Sequence, residues 1–162
     1  MENYTCASVG ATPVAVGAVA TLYDGTFLAE TVEAELLAIP PLAVFLPLQE
    51  SREFHFPGGE SLDILGHHFF DAKGTPTFDL TSVNKVLAGK KTGDIKAPSD
   101  ANKGPAGTGA VDWLQLDDNG SSTGGLSQVY RVTTAGGNPP ATCPSTALIE
   151  VQYSALYFFY AN

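Results

Sequence analysis

The sequence predicts an all-β protein, an antiparallel β-sandwich or barrel with a jelly-roll-like arrangement and at most one short helix near residues 31–39. The 162 residues fall within the size range of one domain, which we predict to span residues 1–162. The 17 glycines and 11 prolines divide the chain into short segments. Within these segments apolar and polar residues alternate, as they do in strands buried on one face.

The first third of the chain predicts two strands and a helix. Residues 14–23 alternate small and apolar side chains and end at the turn signal Asp24-Gly25, after which residues 27–29 predict a short returning strand. Residues 31–39 read TVEAELLAI, with acidic residues in the first turns. This segment predicts a helix of about two turns that ends at Pro40.

Further strands are predicted at short intervals over residues 52–56, 62–70, 76–80, 85–87, 110–116, 126–133 and 147–160. The two segments on either side of Asp117-Asp118-Asn119-Gly120 predict a hairpin. A long loop is predicted over residues 92–108, which are rich in Gly, Pro, Lys, Asp and Ser. The last third of 147–160 is apolar on both faces, which predicts a central strand.

The charge of the chain excludes two classes of partner. Eight basic and seventeen acidic residues give a formal charge of -9, which repels nucleic acid and anionic lipid heads. Prolines interrupt the apolar runs before they reach the roughly 20 residues that a membrane helix needs. We therefore predict no nucleic-acid partner and no membrane span.

Two cysteines and two glycosylation triplets favour an extracellular protein. Cys6 and Cys143 predict either a disulfide or a pair of buried free thiols, and no zinc-ligand spacing accompanies them. Asn3 and Asn119 begin Asn-x-Thr and Asn-x-Ser triplets. The N-terminal residues do not form a signal peptide, so we expect that an export signal has been removed and that Met1 was added for expression.

Adjacent histidines form the most conspicuous candidate site, in the segment ILGHHFFD. Neighbouring side chains of a strand point to opposite faces, so His67 and His68 are not expected to share an ion. One hypothesis is a divalent-metal site formed by His68, His55 and a carboxylate such as Asp71, because two imidazoles and a carboxylate are a common ligand set. The alternative is that one histidine packs in the core and the other is exposed.

Aromatic residues provide a second candidate site. Flat aromatic faces can stack on sugar rings, which makes Trp113, Tyr153 and Tyr157 candidate ligand-binding residues. The alternative is that Trp113, which alternates with Val111, belongs to the core. The one Gly-x-Ser-x-Gly pattern, GSSTG at 120–124, lies between two predicted strands and not between a strand and a helix, as a nucleophile elbow does, and we predict no catalytic residue.

Six segments occur along the chain in a distinctive order: NYTC at 3–6, AVATLYD at 18–24, LGHHFFD at 65–71, GAVDWLQL at 109–116, YRVTTAGG at 130–137 with Pro140 and Cys143, and 151–160. In this combination they resemble a secreted family of filamentous fungi and bacteria, domain-of-unknown-function family 3455, and the chain is similar to its fungal members. The resemblance implies export, a disulfide between the two cysteines and a β-rich fold. It implies no established reaction, cofactor or ligand.

Two details qualify the resemblance. Some fungal members carry the label malate dehydrogenase, which this sequence contradicts because it has no Gly-x-Gly-x-x-Gly motif after a strand and no βαβ pattern. His68 matches the family's Gly-x-His followed by an aromatic residue. Residues 74–78 replace a segment that carries a tryptophan in bacterial relatives.

We therefore predict a secreted or cell-wall-associated surface protein, more plausibly not an enzyme. Its expected partner is a cell-wall polysaccharide or another small extracellular ligand, and it needs no cofactor. The alternative is a metal-binding protein or metal-dependent enzyme with a divalent metal at His68. A structural coat protein without a discrete site is a third hypothesis.

Overall fold

The computed structural model describes residues 1–47, 54–55 and 61–161, and it confirms the antiparallel all-β class. The strands in chain order are β1 (Glu2–Thr5), β2 (Val14–Ala18), β3 (Ala20–Tyr23), β4 (Phe54–His55), β5 (Ser61–Leu62), β6 (Ile64–Phe70), β7 (Pro76–Leu80), β8 (Lys85–Ile95), β9 (Trp113–Asp118), β10 (Leu126–Gly136), β11 (Ile149–Val151) and β12 (Tyr153–Ala161). The helices are α1 (Thr26–Thr31) and α2 (Glu33–Ala43), with a 3₁₀ turn at Thr81–Val83.

A seven-stranded antiparallel sheet forms the body of the protein, in the order β12-β10-β9-β8-β7-β6-β3. It curls into a half-barrel, so that its end strands β3 and β12 line the same cleft. A three-stranded sheet, β11-β1-β2, packs at one side, and β4 pairs with β5. The hairpin predicted around residue 119 is confirmed, because β9 pairs with β10.

Two apolar clusters hold the half-barrel together. The first fills its interior with buried side chains of the central strands, among them Phe78, Leu87 and Val129. The second lies between the helices and the outer face of β12, and its buried members include Leu28 and Leu36 of the helices and Leu156 of β12. Burial of apolar side chains of this size contributes about 1.5–3 kcal/mol each to folding.

The helical part is longer than the sequence predicted. Residues 27–29, predicted as a strand, lie in α1 because Leu28 is buried against the second helix and β12. Helix α2 does not end at Pro40 but continues through Pro41 to Ala43. Proline removes one helical hydrogen bond yet keeps a helical φ, and the carbonyl of Pro40 still accepts a bond from Val44.

Two further predictions are corrected by the strand positions. Strand β8 runs to Ile95, so that the loop predicted from residue 92 begins only after this strand. Strand β12, predicted to be central, lies at the edge of the seven-stranded sheet. It is apolar on both faces because the helices cover one face and the barrel interior covers the other.

A disulfide joins Cys6 to Cys143, with an S–S distance of 2.04 Å. This bond confirms the predicted pairing and excludes the free-thiol alternative. It ties the end of β1 to the loop that precedes β11, 137 residues away in sequence. None of the described helices is long and apolar enough to cross a membrane.

Candidate functional site

A cleft of about 490 Å³ opens on the inner side of the half-barrel. We call it the polar cleft, and its principal lining residues are Glu2, His68, Phe70, Asp112, Arg131 and Tyr157. These residues come from β1, β6, β10, β12 and the segment before β9. The fold therefore assembles the cleft from positions that are far apart in sequence.

A buried ion pair lies in this cleft. Nη1 of Arg131 donates to Oε1 of Glu2 at 2.6 Å, and both residues are only 8% exposed. The guanidinium also donates through Nε and Nη2 to the carbonyl oxygen of Asp112, at 3.2 and 3.0 Å. Burial raises the pKa of the Glu2 carboxyl, and the charge of Arg131 opposes that rise without cancelling it.

Two tyrosines of β12 stand beside the ion pair. The hydroxyl groups of Tyr153 and Tyr157 are 3.0 Å apart and share a hydrogen bond. Arg131 is directly opposite Tyr157 in the β10–β12 register, and its Cζ lies 5.9 Å from the centre of the Tyr153 ring. Burial raises the pKa of both phenols, so each hydroxyl remains protonated and able to donate.

His68 is packed against the aromatic floor of the cleft. Its ring stacks on Phe78, with ring centres 4.1 Å apart and planes inclined by 10°. Nδ1 lies 2.9 Å from the carbonyl oxygen of Thr77, so a neutral imidazole carries its proton there and leaves Nε2 as an acceptor. His68 is buried and His67 is exposed, which confirms that the two histidines lie on opposite faces.

Gly66 shows why this strand approaches its neighbour so closely. A Cβ atom on Gly66 would lie 1.9 Å from the carbonyl oxygen of Asp79 on β7. Glycine therefore allows β6 to lie against β7 two residues before His68. The Gly-x-His spacing of the sequence thus has a structural reason.

The histidine is neutral in the folded protein at physiological pH. Burial lowers the pKa of His68 to about 4, the nearby positive charge of Arg131 lowers it further, and the hydrogen bond to Thr77 opposes the change. The unfolded-state value is about 6.5, so the unfolded chain takes up a proton first as the pH falls. The contribution of His68 to stability is complete above that value and is lost as the pH falls toward its folded-state pKa.

We expect the free energy of unfolding to fall by about 2 kcal/mol more in the wild type than in His68→Gln when the pH is lowered from about 7 to about 5. Denaturant titrations at several pH values measure the two slopes. His67→Gln is the matched control, because His67 is the exposed neighbour on the same strand. Equal slopes in the wild type and His68→Gln would contradict a buried, neutral His68.

The predicted metal ligand Asp71 is hydrogen-bonded within its own turn. Oδ1 of Asp71 accepts the backbone N–H groups of Lys73 and Thr75, both at 2.8 Å, in the turn after β6. These hydrogen bonds lower the pKa of the Asp71 carboxyl, and the bond from Thr75 has the larger effect. The side chain of His55 lies outside the described residues. Among those that are described, no three His, Cys, Asp or Glu side chains group closely enough to hold a metal ion.

The predicted aromatic residues separate into two groups. Tyr157 lines the polar cleft, and Tyr153 is hydrogen-bonded to it. Trp113 does not line the cleft, because Leu114 and Leu116 of the same strand do so and Trp113 points to the opposite face. Its indole nitrogen is buried and has no hydrogen-bond partner among the described residues.

The two glycosylation triplets lie in different surroundings. Asn119 is exposed in the turn between β9 and β10, where its Oδ1 accepts the N–H of Ser121. Asn3 is half-buried on β1, the middle strand of the three-stranded sheet. Glycosylation stays a prediction at both positions.

The family model described as "Protein of unknown function (DUF3455)" matches residues 1–161. The chain belongs to this family. Neither the curated proteins nor the solved structures contain a match.

Sequence reasoning missed two charged residues that define the site of this DUF3455 protein. Arg131 is the one charged residue of β10 and lies two positions from the buried Val129. Residues two apart in a strand share a face, so this spacing could have indicated that Arg131 points inward. Glu2 gave no such signal. Glu2 is 129 positions away from Arg131 in sequence. It becomes a site residue only because β1 places it next to Arg131 in space.

Proposed function

We propose that this DUF3455 protein is a secreted or cell-wall-associated protein of the fungal type, which acts without catalysis by binding a neutral carbohydrate in the polar cleft. The observation that carries the proposal is the charge balance of the lining. Among the described residues, three acidic and three basic side chains line the cleft, although the whole chain has a formal charge of -9.

Each of these charges faces an opposite one. Arg131 pairs with Glu2 at 2.6 Å, Lys96 with Asp112 at 2.9 Å and Lys91 with Asp94 at 3.5 Å, and of these three pairs the first is buried. An ionic ligand would have to compete with these internal partners. A sugar, in contrast, carries hydroxyl groups that donate to the carboxylates and accept from the cations without a net charge of its own.

The cleft also offers an apolar surface of suitable size. The ring of Phe70 is 37% exposed and lies close above Gly17, where a Cβ atom would come within 2.9 Å of the Phe70 Cγ. Aromatic faces of this kind contact the C–H groups of sugar rings. The volume of about 490 Å³ lies within the range of roughly 300–1,000 Å³ that is typical of small-ligand sites.

Two features support secretion. The Cys6–Cys143 disulfide is stable in an oxidising compartment and rare in a reducing one. Asn119 is exposed, as an N-glycan acceptor must be.

Phe70→Ala is the test of the carbohydrate site. We expect this change to weaken binding of soluble wall oligosaccharides by at least about tenfold, because it removes the stacking face. Phe69→Ala is the matched control: Phe69 is the preceding residue of β6, is 36% exposed and does not line the cleft. Titration calorimetry measures the affinities, and retention on wall polysaccharide provides a second readout.

The proposal is wrong if the wild type binds no neutral oligosaccharide at millimolar concentration. Equal losses of oligosaccharide affinity in Phe69→Ala and Phe70→Ala would exclude the polar cleft as the binding site. Phe69 and Phe70 are both partly exposed, and the described contacts of the Phe70 ring are with Gly17 and with the His68 ring, whose centre lies 5.7 Å away, so both variants are expected to fold.

One observation favours the metal alternative. Nε2 of His68 makes no hydrogen bond to a described residue, so it is free to bind an ion. Retention of a stoichiometric divalent metal after dialysis, and its loss in His68→Ala, would support that alternative over the carbohydrate site.

A further inference from the structure

A second cleft lies where the half-barrel fails to close. Strands β3 and β12 are the ends of the seven-stranded sheet, and within the described residues they do not pair with each other. Between them is a cleft of about 610 Å³, which we call the seam cleft. This volume also lies within the range of roughly 300–1,000 Å³ for small-ligand sites.

The walls of the seam cleft are mainly apolar. Leu22, Leu80 and Leu126 face it from the interior cluster of the barrel. Leu36 and Leu156 face it from the cluster beneath the helices. An apolar chain placed here would therefore be removed from water on two sides.

The charges around the seam cleft restrict the head group of a ligand. The lining includes the charged side chains of Asp24, Glu30 and Lys85, and also Met1, whose N-terminal amine donates to the carbonyl of Val19. With acidic and basic groups both present, the lining gives no net attraction to an ionic head such as a fatty-acid carboxylate. A neutral head needs no such attraction.

The two clefts share one lining residue. Tyr157 belongs to the lining of both, and its hydroxyl is hydrogen-bonded to Tyr153, which also lines the seam cleft. A ligand with its polar head in one cleft and its apolar chain in the other would contact Tyr157 with both parts. A purely polar sugar would leave the apolar walls of the seam cleft without a partner.

We propose that the seam cleft binds the apolar chain of a neutral, single-chain amphiphile of the alkyl-glycoside type. The position of the sugar head in the polar cleft rests on the proposed function; the position of the chain does not. Chain and head together would make the natural ligand a carbohydrate with an apolar substituent.

Alkyl and methyl glycosides with the same head test this inference. We expect octyl β-D-glucoside, used below its micelle concentration, to bind at least about tenfold more tightly than methyl β-D-glucoside, because the chain buries several methylene groups. Ala29→Trp should remove this gain, since Ala29 of α1 is exposed and lines the seam cleft. Its bulky ring would occupy the mouth.

Ala34→Trp is the matched control, because Ala34 is an exposed helical alanine that does not line the seam cleft. Equal affinities of the octyl and methyl glucosides, or equal effects of the two tryptophan variants, would overturn the inference. Tight octyl glucoside binding that depends on Ala29 but not on Phe70, with no methyl glucoside binding, would support the chain site and reject the carbohydrate site. If methyl glucoside binds and the octyl chain does not increase the affinity, the result would support the carbohydrate site and reject the chain site.

Discussion

Replacement of both cysteines, Cys6→Ala with Cys143→Ala, is expected to lower the free energy of unfolding by about 5 kcal/mol. The bond joins residues 137 positions apart, so its loss releases a long loop in the unfolded chain and raises the entropy of that state. Alanine is chosen because Cys143 is 1% exposed and a serine hydroxyl there would add a separate burial cost.

Denaturant unfolding of the oxidised wild type and the variant measures the difference. The wild type held in reductant should match the variant, which separates the cross-link from the packing of the sulfur atoms. A difference below about 1 kcal/mol would contradict the expectation and show that the unfolded chain is compact without the bond.

The disulfide also has an expected effect on the polar cleft. Cys6 directly follows β1, and β1 carries Glu2 to Arg131. Loosening of β1 withdraws the carboxylate and leaves the buried guanidinium without its ionic partner. If the polar cleft binds carbohydrate as proposed, the affinity should therefore fall in the reduced protein even under conditions in which it remains folded.

Arg131→Met is expected to cost about 3–5 kcal/mol of stability, because it leaves the buried Glu2 carboxylate without its partner. The double variant Glu2→Leu with Arg131→Met should lose less than Arg131→Met alone, since it removes both buried charges. Chemical unfolding of the two single variants and the double variant completes the thermodynamic cycle.

An exposed pair in the same cleft is the control. Lys96 has an 88% exposed side chain and pairs with Asp112, so Lys96→Met should lower stability far less than Arg131→Met does. Additive losses from the two single changes at Glu2 and Arg131 would contradict a coupled buried pair.

The pH dependence of Arg131→Met is a second readout of the same pair. Burial already raises the pKa of Glu2, and removal of the guanidinium takes away the charge that opposes this rise. The folded variant then binds a proton at Glu2 more readily than the unfolded chain does, so lowering the pH from about 7 toward about 5 should destabilise the variant less than the wild type. His68 destabilises both proteins over this range, so the comparison of the two slopes isolates Glu2.

Local features of the sequence predicted local structure well. The turn at residues 117–120 predicted the β9–β10 hairpin, and alternation around residues 67–68 predicted one buried and one exposed histidine. Both rest on the two-residue period of a strand and on turn chemistry, which act between neighbours in the chain. The same reasoning failed at residues 27–29, where contacts with a distant strand decided in favour of a helix.

The sequence by itself determined the antiparallel β class, the cysteines available for pairing and the division of the adjacent histidines into one buried and one exposed residue. Only the tertiary structure decided that Glu2 pairs with Arg131, that Tyr157 lines two clefts and that Trp113 lies outside both. The reason is physical: alternation specifies which face of a strand a side chain occupies, but not which distant strand packs against that face. Glu2 and Arg131 meet because the three-stranded sheet docks on the half-barrel, and this contact depends on the whole fold.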